Sequence, residues 1–111
     1  MADTPDTHLI IIDSDPDFLS WAAGHLKAPG VTIVTFERPE EGLAAYQKKR
    51  ADLVLAEIRS GTGPASGIEL LKRLRQSDPH AMAILFSGTA TTSHVIEAMR
   101  LGAYDVLPKE R

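Results

Sequence analysis

Residues 53–67, "LVLAEIRSGTGPASG", decide how this chain folds. Four apolar residues run without interruption into the carboxylate of Glu57, and a glycine-rich stretch follows. A short continuous apolar run bounded by turn residues is typical of a strand that is covered on both faces of a parallel sheet. The stretch therefore predicts a central strand that presents an acid at its carboxyl end.

Four more apolar runs have the length of strands, so the sequence predicts strands at residues 9–12, 31–36, 53–56, 82–86 and 103–107. The second run contains two threonines and the fifth contains Asp105, which places both at the edges of the sheet. Segments with helical periodicity fill the gaps between the runs. Strands that alternate with helices predict right-handed crossovers and a parallel sheet.

The first predicted helix has Asp15 as its N-cap and Pro16 at its first position, and the fourth ends at Gly102. Apolar stripes are expected to face the sheet from Phe18, Trp21, Ala22, His25 and Leu26, from Leu43 and Tyr46, from Ile68, Leu70, Leu71 and Leu74, and from Val95, Ile96 and Met99. A parallel sheet needs cover on both faces. Four helices leave one face short, so either a fifth helix is missing or a partner covers that face.

The composition excludes several classes of protein. The 111 residues fit one domain, and the lack of cysteine excludes disulfides and thiolate metal sites. The net charge of −3 argues against a nucleic-acid-binding face. No apolar run has the length of a membrane span, and the acidic N-terminus does not resemble a signal peptide. We expect a cytoplasmic domain that contacts neither membrane nor nucleic acid directly.

Polar residues follow the predicted strands where a parallel sheet places its functional site. Asp13, Ser14 and Asp15 follow the first strand and Glu57 the third. Ser87 follows the fourth strand and Lys109 the fifth. Carboxylates, a hydroxyl and an ammonium should therefore gather at one edge of the sheet.

These blocks together resemble a known family. "LIIIDSDPDFL", "ADLVLAEIRS" with "GIELLKRLR", "AILFSGTA" and "VIEAMRLGAYDVLPK" are similar to the response-regulator receiver domain of two-component signalling. The last block most resembles receivers of nitrogen-regulation-type transcriptional activators. The resemblance implies an α/β, flavodoxin-like (CheY-like) doubly wound sheet of five parallel strands in the order 2-1-3-4-5, with the final helix missing. It covers residues 1–111 and implies the N-terminal part of a longer regulator.

In that family an aspartate after the third strand accepts a phosphoryl group from a histidine kinase, and Mg²⁺ assists. Glu57 falls at the phosphoacceptor position and Lys109 at the family's lysine. Asp13 matches the first acid of the metal-binding pair, but Ser14 stands where the second acid is expected. Ser87 matches the switch hydroxyl. Two further departures are Val106, in place of the switch aromatic, and Glu110, where a proline usually follows the lysine.

The departures predict a pseudo-receiver whose signalling is independent of phosphorylation and that is not an enzyme. Glu carries one methylene more than Asp, which moves its carboxylate by up to about 1.5 Å into the space of the metal or phosphoryl group. Ser14 removes charge from a site for a hard cation, and Asp15 is committed to capping. We expect no cofactor; if Mg²⁺ binds at all, Asp13 and Glu57 would hold it.

Two interpretations of Glu57 stay open: a standing ion pair with Lys109 that imitates phosphorylation, or simple neutralisation of a buried charge. The expected partners are the output domain of the same regulator, a histidine kinase and a second copy in a homodimer. The resemblance places the output surface at Val95, Met99, Arg100 and Tyr104. The alternatives are a working phosphoacceptor with unusual ligands and a flavodoxin-like small-ligand binder or enzyme. A phosphate cradle at Gly61, Gly63 and Gly67 is less well supported than an inserted loop, because it lacks the ending of a P-loop.

Overall fold

The computed structural model describes residues 6–58, 66–88 and 92–109. Within these residues five strands alternate with four helices, and the parallel sheet has the order β2-β1-β3-β4-β5. The elements are β1 (Thr7–Ile12), α1 (Pro16–Leu26), β2 (Val31–Phe36), α2 (Pro39–Lys48), β3 (Leu53–Glu57), α3 (Ser66–Ser77), β4 (Ala83–Ser87), α4 (Thr92–Arg100) and β5 (Asp105–Pro108). The predicted fold, strand order and edge positions of β2 and β5 are confirmed. Strand ends differ from the prediction by one or two residues.

β1 is an inner strand of the sheet, which pairs with β2 on one side and with the central strand β3 on the other. Its three consecutive isoleucines suit a strand that is covered on both faces, because β-branched side chains pack well on a pleated surface. Ile10 and Ile12 enter one hydrophobic cluster and Ile11 enters the other. Asp13 directly follows this strand, so its position is fixed by the buried isoleucines that precede it.

One face of the sheet is covered by three helices, α2, α3 and α4, and carries the larger cluster. The predicted inward residues of α3 are all buried, as is Tyr46 of α2. At Gly42 a Cβ atom would overlap the side chain of Ile12, so α2 can lie this close to β1 only with glycine at that position.

The opposite face is covered by α1 alone among the described elements. Ile11 and Leu55 are buried there under Phe18, Leu19 and Ala22. Towards β5 the cover is incomplete, and the partly buried residues of this face are Ile33, Leu53, Ile84 and Phe86. The unequal cover expected from the number of helices is therefore present in the described part of the chain. A missing fifth helix and a covering partner remain predictions.

Two inward stripes were predicted correctly only in part, and in α1 Phe18 and Ala22 are buried as expected. In α1, Leu19 is buried, while Trp21, His25 and Leu26 are exposed. The helix contacts the sheet along the narrow line of Phe18, Leu19 and Ala22, which leaves Trp21 beside the core.

In α4, Ala98 is fully buried while Ile96 and Met99 are exposed. The helix approaches the sheet through its smallest apolar side chain, so the larger side chains face outward. Its end is where it was predicted, because Gly102 follows with φ +98, in the left-handed region that favours glycine.

A polar contact ties α2 to the end of α3 at the amino-terminal edge of the sheet. The Tyr46 hydroxyl donates to Asp78 Oδ2 at 2.6 Å, and Arg50 Nη1 lies 3.2 Å from the same oxygen. The Tyr46 hydrogen bond, followed by one from the His80 N–H, lowers the pKa of Asp78. Burial, followed by the bond to Asp78, raises the pKa of Tyr46 to about 12. At neutral pH both shifts favour an ionised Asp78 that accepts a hydrogen bond from a neutral Tyr46 hydroxyl.

Candidate functional site

Three charged side chains meet beyond the carboxyl ends of the strands. Asp13 follows β1, and its N–H donates to the Phe36 carbonyl at 3.1 Å. Glu57 is the last residue of β3. Lys109 follows β5, where its N–H donates to the Ser87 carbonyl at 3.1 Å. Separate strands of one sheet therefore position the two carboxylates and the ammonium, with backbone hydrogen bonds beneath Asp13 and Lys109.

The Lys109 ammonium bridges the two carboxylates. Its Nζ donates to Asp13 Oδ2 at 2.9 Å and Oδ1 at 3.2 Å, and to Glu57 Oε2 at 3.0 Å. The Asp13 side chain is 0% exposed, that of Lys109 is 10% exposed and that of Glu57 is 17% exposed. With two acids and one base, this charged triad has a formal charge of −1.

Burial and pairing act in opposite senses on the pKa values of Asp13 and Lys109. Burial raises the pKa of Asp13 above its ordinary value, although hydrogen bonds from Lys109 and the Asp15 N–H oppose the rise. Burial alone would lower the pKa of Lys109, but the hydrogen bonds to Asp13 and Glu57 outweigh it and raise that pKa. The lysine is therefore held as an ammonium, and the burial of the ionised Asp13 is what opposes folding in this triad.

Ser14 and Asp15 lie at the rim of the triad. The Ser14 hydroxyl donates to Glu57 Oε1 at 3.4 Å, which is a long contact. The Asp15 carboxylate accepts from the Asp17 N–H at 2.9 Å and caps α1, as predicted. The Asp15 N–H donates to Asp13 Oδ1 at 2.8 Å. Asp15 therefore contributes its N–H to the buried acid, while its carboxylate is used at the start of α1.

The backbone beneath Glu57 is fixed by the start of α3. The Gly67 N–H donates to the Ile58 carbonyl at 2.7 Å. A Cβ atom at Gly67 would overlap the Glu57 carbonyl oxygen and lie 2.7 Å from Ile58 Cα. Only glycine permits this approach, so Gly67 helps to position the end of β3. The sequence predicted no such positioning role for Gly67.

The lysine also has an aromatic contact that was not predicted from the sequence. Lys109 Nζ lies 4.4 Å from the centroid of the Phe18 ring. Phe18 packs edge-to-face on Phe86 at 5.3 Å and lies 5.7 Å from Trp21. The only sequence signal is an aromatic residue in the first turn of α1, directly after the acidic loop. That signal does not reveal a contact to a residue more than ninety positions away.

Ser87 is the last residue of β4, and Val106 lies within β5. Ser87 is partly buried and supplies the carbonyl that accepts from the Lys109 N–H. Val106 is paired with Leu85 and packs on the edge of the larger cluster. Ser87 therefore supports Lys109 through the backbone, and the Val106 side chain belongs to the core.

The four residues predicted as an output surface lie away from the triad, on α4 and at the start of β5. Met99, Arg100 and Tyr104 are exposed, and Val95 is partly buried. Ile96 is also exposed, and we call these five residues the α4–β5 surface. The prediction for Glu110 and the interpretation of Gly61 and Gly63 fall outside the described residues.

Comparisons with known proteins identify this arrangement. The profile of the response regulator receiver domain matches residues 9–111, which is nearly the whole chain. The chain belongs to the receiver domain family. The prediction made from the sequence motifs is thereby confirmed.

The relatives of this receiver domain include nitrogen regulators. It is 31% identical to the DNA-binding transcriptional regulator NtrC of Salmonella typhimurium over 89% of the chain and 21% of the relative. It is 27% identical to the nitrogen assimilation regulatory protein NtrX of Azorhizobium caulinodans over 91% of the chain and 22% of the relative. The receiver domain thus spans about a fifth of the length of these relatives.

A solved structure shares the fold of this receiver domain. The receiver domain protein from Clostridium thermocellum superposes with a TM-score of 0.85 at 22% identity, over 95% of this chain and 83% of that one.

No described helix of the receiver domain is both long and apolar enough to cross a membrane.

Proposed function

We propose that this receiver domain signals through protein contacts without accepting a phosphoryl group. The observation that carries the proposal is the bridging ammonium: Lys109 Nζ lies 2.9 Å from the buried Asp13 and 3.0 Å from Glu57. The family's chemistry requires the acceptor oxygen to be open to the phosphoryl donor. Here Glu57 Oε2 is already hydrogen-bonded to the lysine, which favours a site that stays closed.

The residues present do not suit Mg²⁺, which the family chemistry implies. This ion needs about six oxygen ligands in near-octahedral geometry. Both oxygens of Asp13 accept from Lys109, and Ser14 supplies a neutral hydroxyl where a second acid would be needed. In the described residues no cluster of three or more His, Cys, Asp or Glu side chains could hold a metal. Asp13 and Glu57 would supply the anionic ligands, and the ammonium already occupies both oxygens of Asp13 and one oxygen of Glu57.

Glu57 either imitates a phosphorylated acceptor or only neutralises Lys109, and the standing ion pair is common to both roles. The distance from Glu57 Oε2 to the ammonium supports a permanent contact of the kind that a phosphoryl group would make transiently. Val106 supports a fixed state, because a packed valine leaves no aromatic ring to change position. We infer that this receiver domain holds one conformation.

The partner we propose is an output domain of the same regulator, since this chain covers only 21% of the DNA-binding transcriptional regulator NtrC, one of the relatives. The α4–β5 surface is the proposed contact with that domain. It exposes three large apolar side chains that lie within nine residues of sequence, Ile96, Met99 and Tyr104. A cytoplasmic location, docking of a histidine kinase and homodimerisation belong to the same proposal.

Incubation with acetyl phosphate and Mg²⁺, followed by intact mass measurement, tests the proposal. We expect no gain of a phosphoryl group by the natural protein, because Lys109 holds the Glu57 carboxylate through Oε2. The matched control is the double variant Ser14→Asp with Glu57→Asp, which restores the second acid and shortens the acceptor. We expect this variant to gain one phosphoryl group.

A different result would refute the proposal. If the natural protein gains a phosphoryl group and Glu57→Gln does not, this receiver domain is a working phosphoacceptor with unusual ligands. Circular dichroism of each variant establishes that the fold is retained.

A further inference from the structure

The ammonium of Lys109 has a third contact that carries no charge. An ammonium has three N–H donors and no acceptor. Asp13 and Glu57 accept from it at 2.9 Å and 3.0 Å, and the Phe18 ring lies on another side with its centroid 4.4 Å away. This distance is within the range in which a cation is attracted to the face of an aromatic ring.

The surroundings of the Phe18 ring fix its position beside the ammonium. Phe18 is 5% exposed and packs edge-to-face on Phe86 of β4. It lies in the first turn of α1, whose start is fixed by the Asp15 cap and by Pro16. A ring anchored on both a strand and a capped helix has little freedom to move away from the ammonium.

Lysine needs such a constraint because its side chain has four flexible methylenes and loses rotamer entropy when it is fixed. We propose that Phe18 is a positioning residue that holds the Lys109 ammonium between Asp13 and Glu57. This inference rests on the proposed function in one respect. The fixed lysine is what keeps the Glu57 carboxylate hydrogen-bonded and prevents it from accepting a phosphoryl group. The attraction between cation and ring is stronger in a desolvated place, and the lysine side chain is only 10% exposed.

A simpler role for Phe18 is to fill the smaller hydrophobic cluster, where it packs with Ile11, Leu19 and Leu55. In that role any apolar side chain of similar volume would serve, and the lysine would stay in place without the ring. The two roles differ in what the lysine signals show, so nuclear magnetic resonance can separate them.

The experiment uses protein labelled with ¹³C and ¹⁵N only in lysine. In the natural protein we expect the Lys109 Hε protons to be shifted upfield by the ring and to give two separate signals. We also expect an Nζ–H₃⁺ signal that exchanges slowly with water. Phe18→Leu should lose the upfield shift, merge the two Hε signals and speed the exchange. Phe18→Tyr keeps the ring and should retain all three features.

A matched control removes a different phenylalanine. Phe36→Leu also truncates a partly buried ring, but that ring packs on the other cluster. It should leave the Lys109 signals unchanged, which excludes general loosening as their cause. If Phe18→Leu is folded and keeps two separate Hε signals with slow exchange, the ring only touches the lysine and the inference is wrong.

Stepwise fluorination of Phe18, introduced by a suppressor transfer RNA, gives a second measurement that does not depend on Phe18→Leu folding. Fluorine weakens the negative face of the ring with little change in shape. The Nζ–H₃⁺ exchange rate should rise with each added fluorine, and a rate independent of fluorination would refute the inference. Phosphoryl uptake is read by mass and lysine position by resonance, so failure of the proposed function and failure of this inference are distinguishable.

Discussion

Removing the base of the charged triad should be far more damaging than removing one of its acids. Lys109→Met leaves two carboxylates without their cation, one of them 0% exposed, and changes the formal charge of the triad from −1 to −2. Loss of one partner from a buried ion pair typically costs about 3–5 kcal/mol. Burial of the ammonium itself no longer opposes folding in the variant, so we expect the lower end, about 3 kcal/mol.

Glu57→Gln makes the opposite change and leaves one acid with one base. The remaining pair, Asp13 and Lys109, is neutral overall, and the repulsion between the two carboxylates, which contributes to the raised pKa of Asp13, disappears. The lost hydrogen bond is offset in part by this relief, so the expected cost is below about 1 kcal/mol. The double variant Lys109→Met with Glu57→Gln should be more stable than Lys109→Met alone.

Urea unfolding followed by the fluorescence of Trp21, the single tryptophan, measures these changes. With a slope of about 1.5 kcal/mol per molar urea, a loss of 3 kcal/mol lowers the midpoint by about 2 M. The deficit of Lys109→Met should shrink as the pH falls. The pKa of the buried Asp13 is raised in the folded state, so the penalty for its charge is lost as it takes up a proton.

Equal midpoints for Lys109→Met and Glu57→Gln would refute this reasoning. So would a deficit of Lys109→Met that does not change between neutral and acidic pH. Either result would mean that water screens Asp13 despite its burial in the structure.

The remaining predictions concern the glycine beneath Glu57 and the contact between α2 and α3. Gly67→Ala should destabilise by about 1–3 kcal/mol because its Cβ overlaps the backbone of β3, whereas Gly24→Ala, where nothing lies within 4 Å, should be neutral or stabilise by up to about 1 kcal/mol; similar urea midpoints for the two would contradict the packing argument. Tyr46→Phe should lower the melting temperature at neutral pH. The lowered pKa of Asp78 contributes stability that is present above pH 3.8 and is lost as the pH falls through the pKa of the folded protein. The difference in melting temperature between Tyr46→Phe and the natural protein should therefore narrow in acid. A difference that does not change with pH would be evidence against a stabilising bond from Tyr46 to Asp78. In alkali the raised pKa of Tyr46 gives stability that is present below pH 10 and lost towards about pH 12, so the difference should narrow there too.

The sequence predicted the sheet and its order because continuous apolar runs and parallel crossovers leave few alternatives. The same topology brings the ends of β1, β3 and β5 to one edge, where the structure places Asp13, Glu57 and Lys109. Strand ends are determined locally, so residues adjacent to them can be located from sequence alone.

The inward faces of α1 and α4 could not be predicted in the same way. Both helices have apolar residues around much of their circumference, and only the distance to the sheet decides which of them are covered. Trp21 is 53% exposed while Ala98 is fully buried, the opposite of a ranking by hydrophobic size. The contact of Phe18 with Lys109 depends on the same packing distance, so the sequence did not reveal it either.

The strand that delivers Lys109 is also the least protected strand of the sheet. β5 has four residues and keeps most of its side chains exposed, and among the described strands it pairs only with β4, whereas the inner residues of β1 are buried. Local opening begins where few buried contacts resist it. The time for which Lys109 stays between Asp13 and Glu57 therefore depends on how often this short strand separates from β4. A ligand or neighbouring domain that binds β5 would prolong that time without contacting either acid.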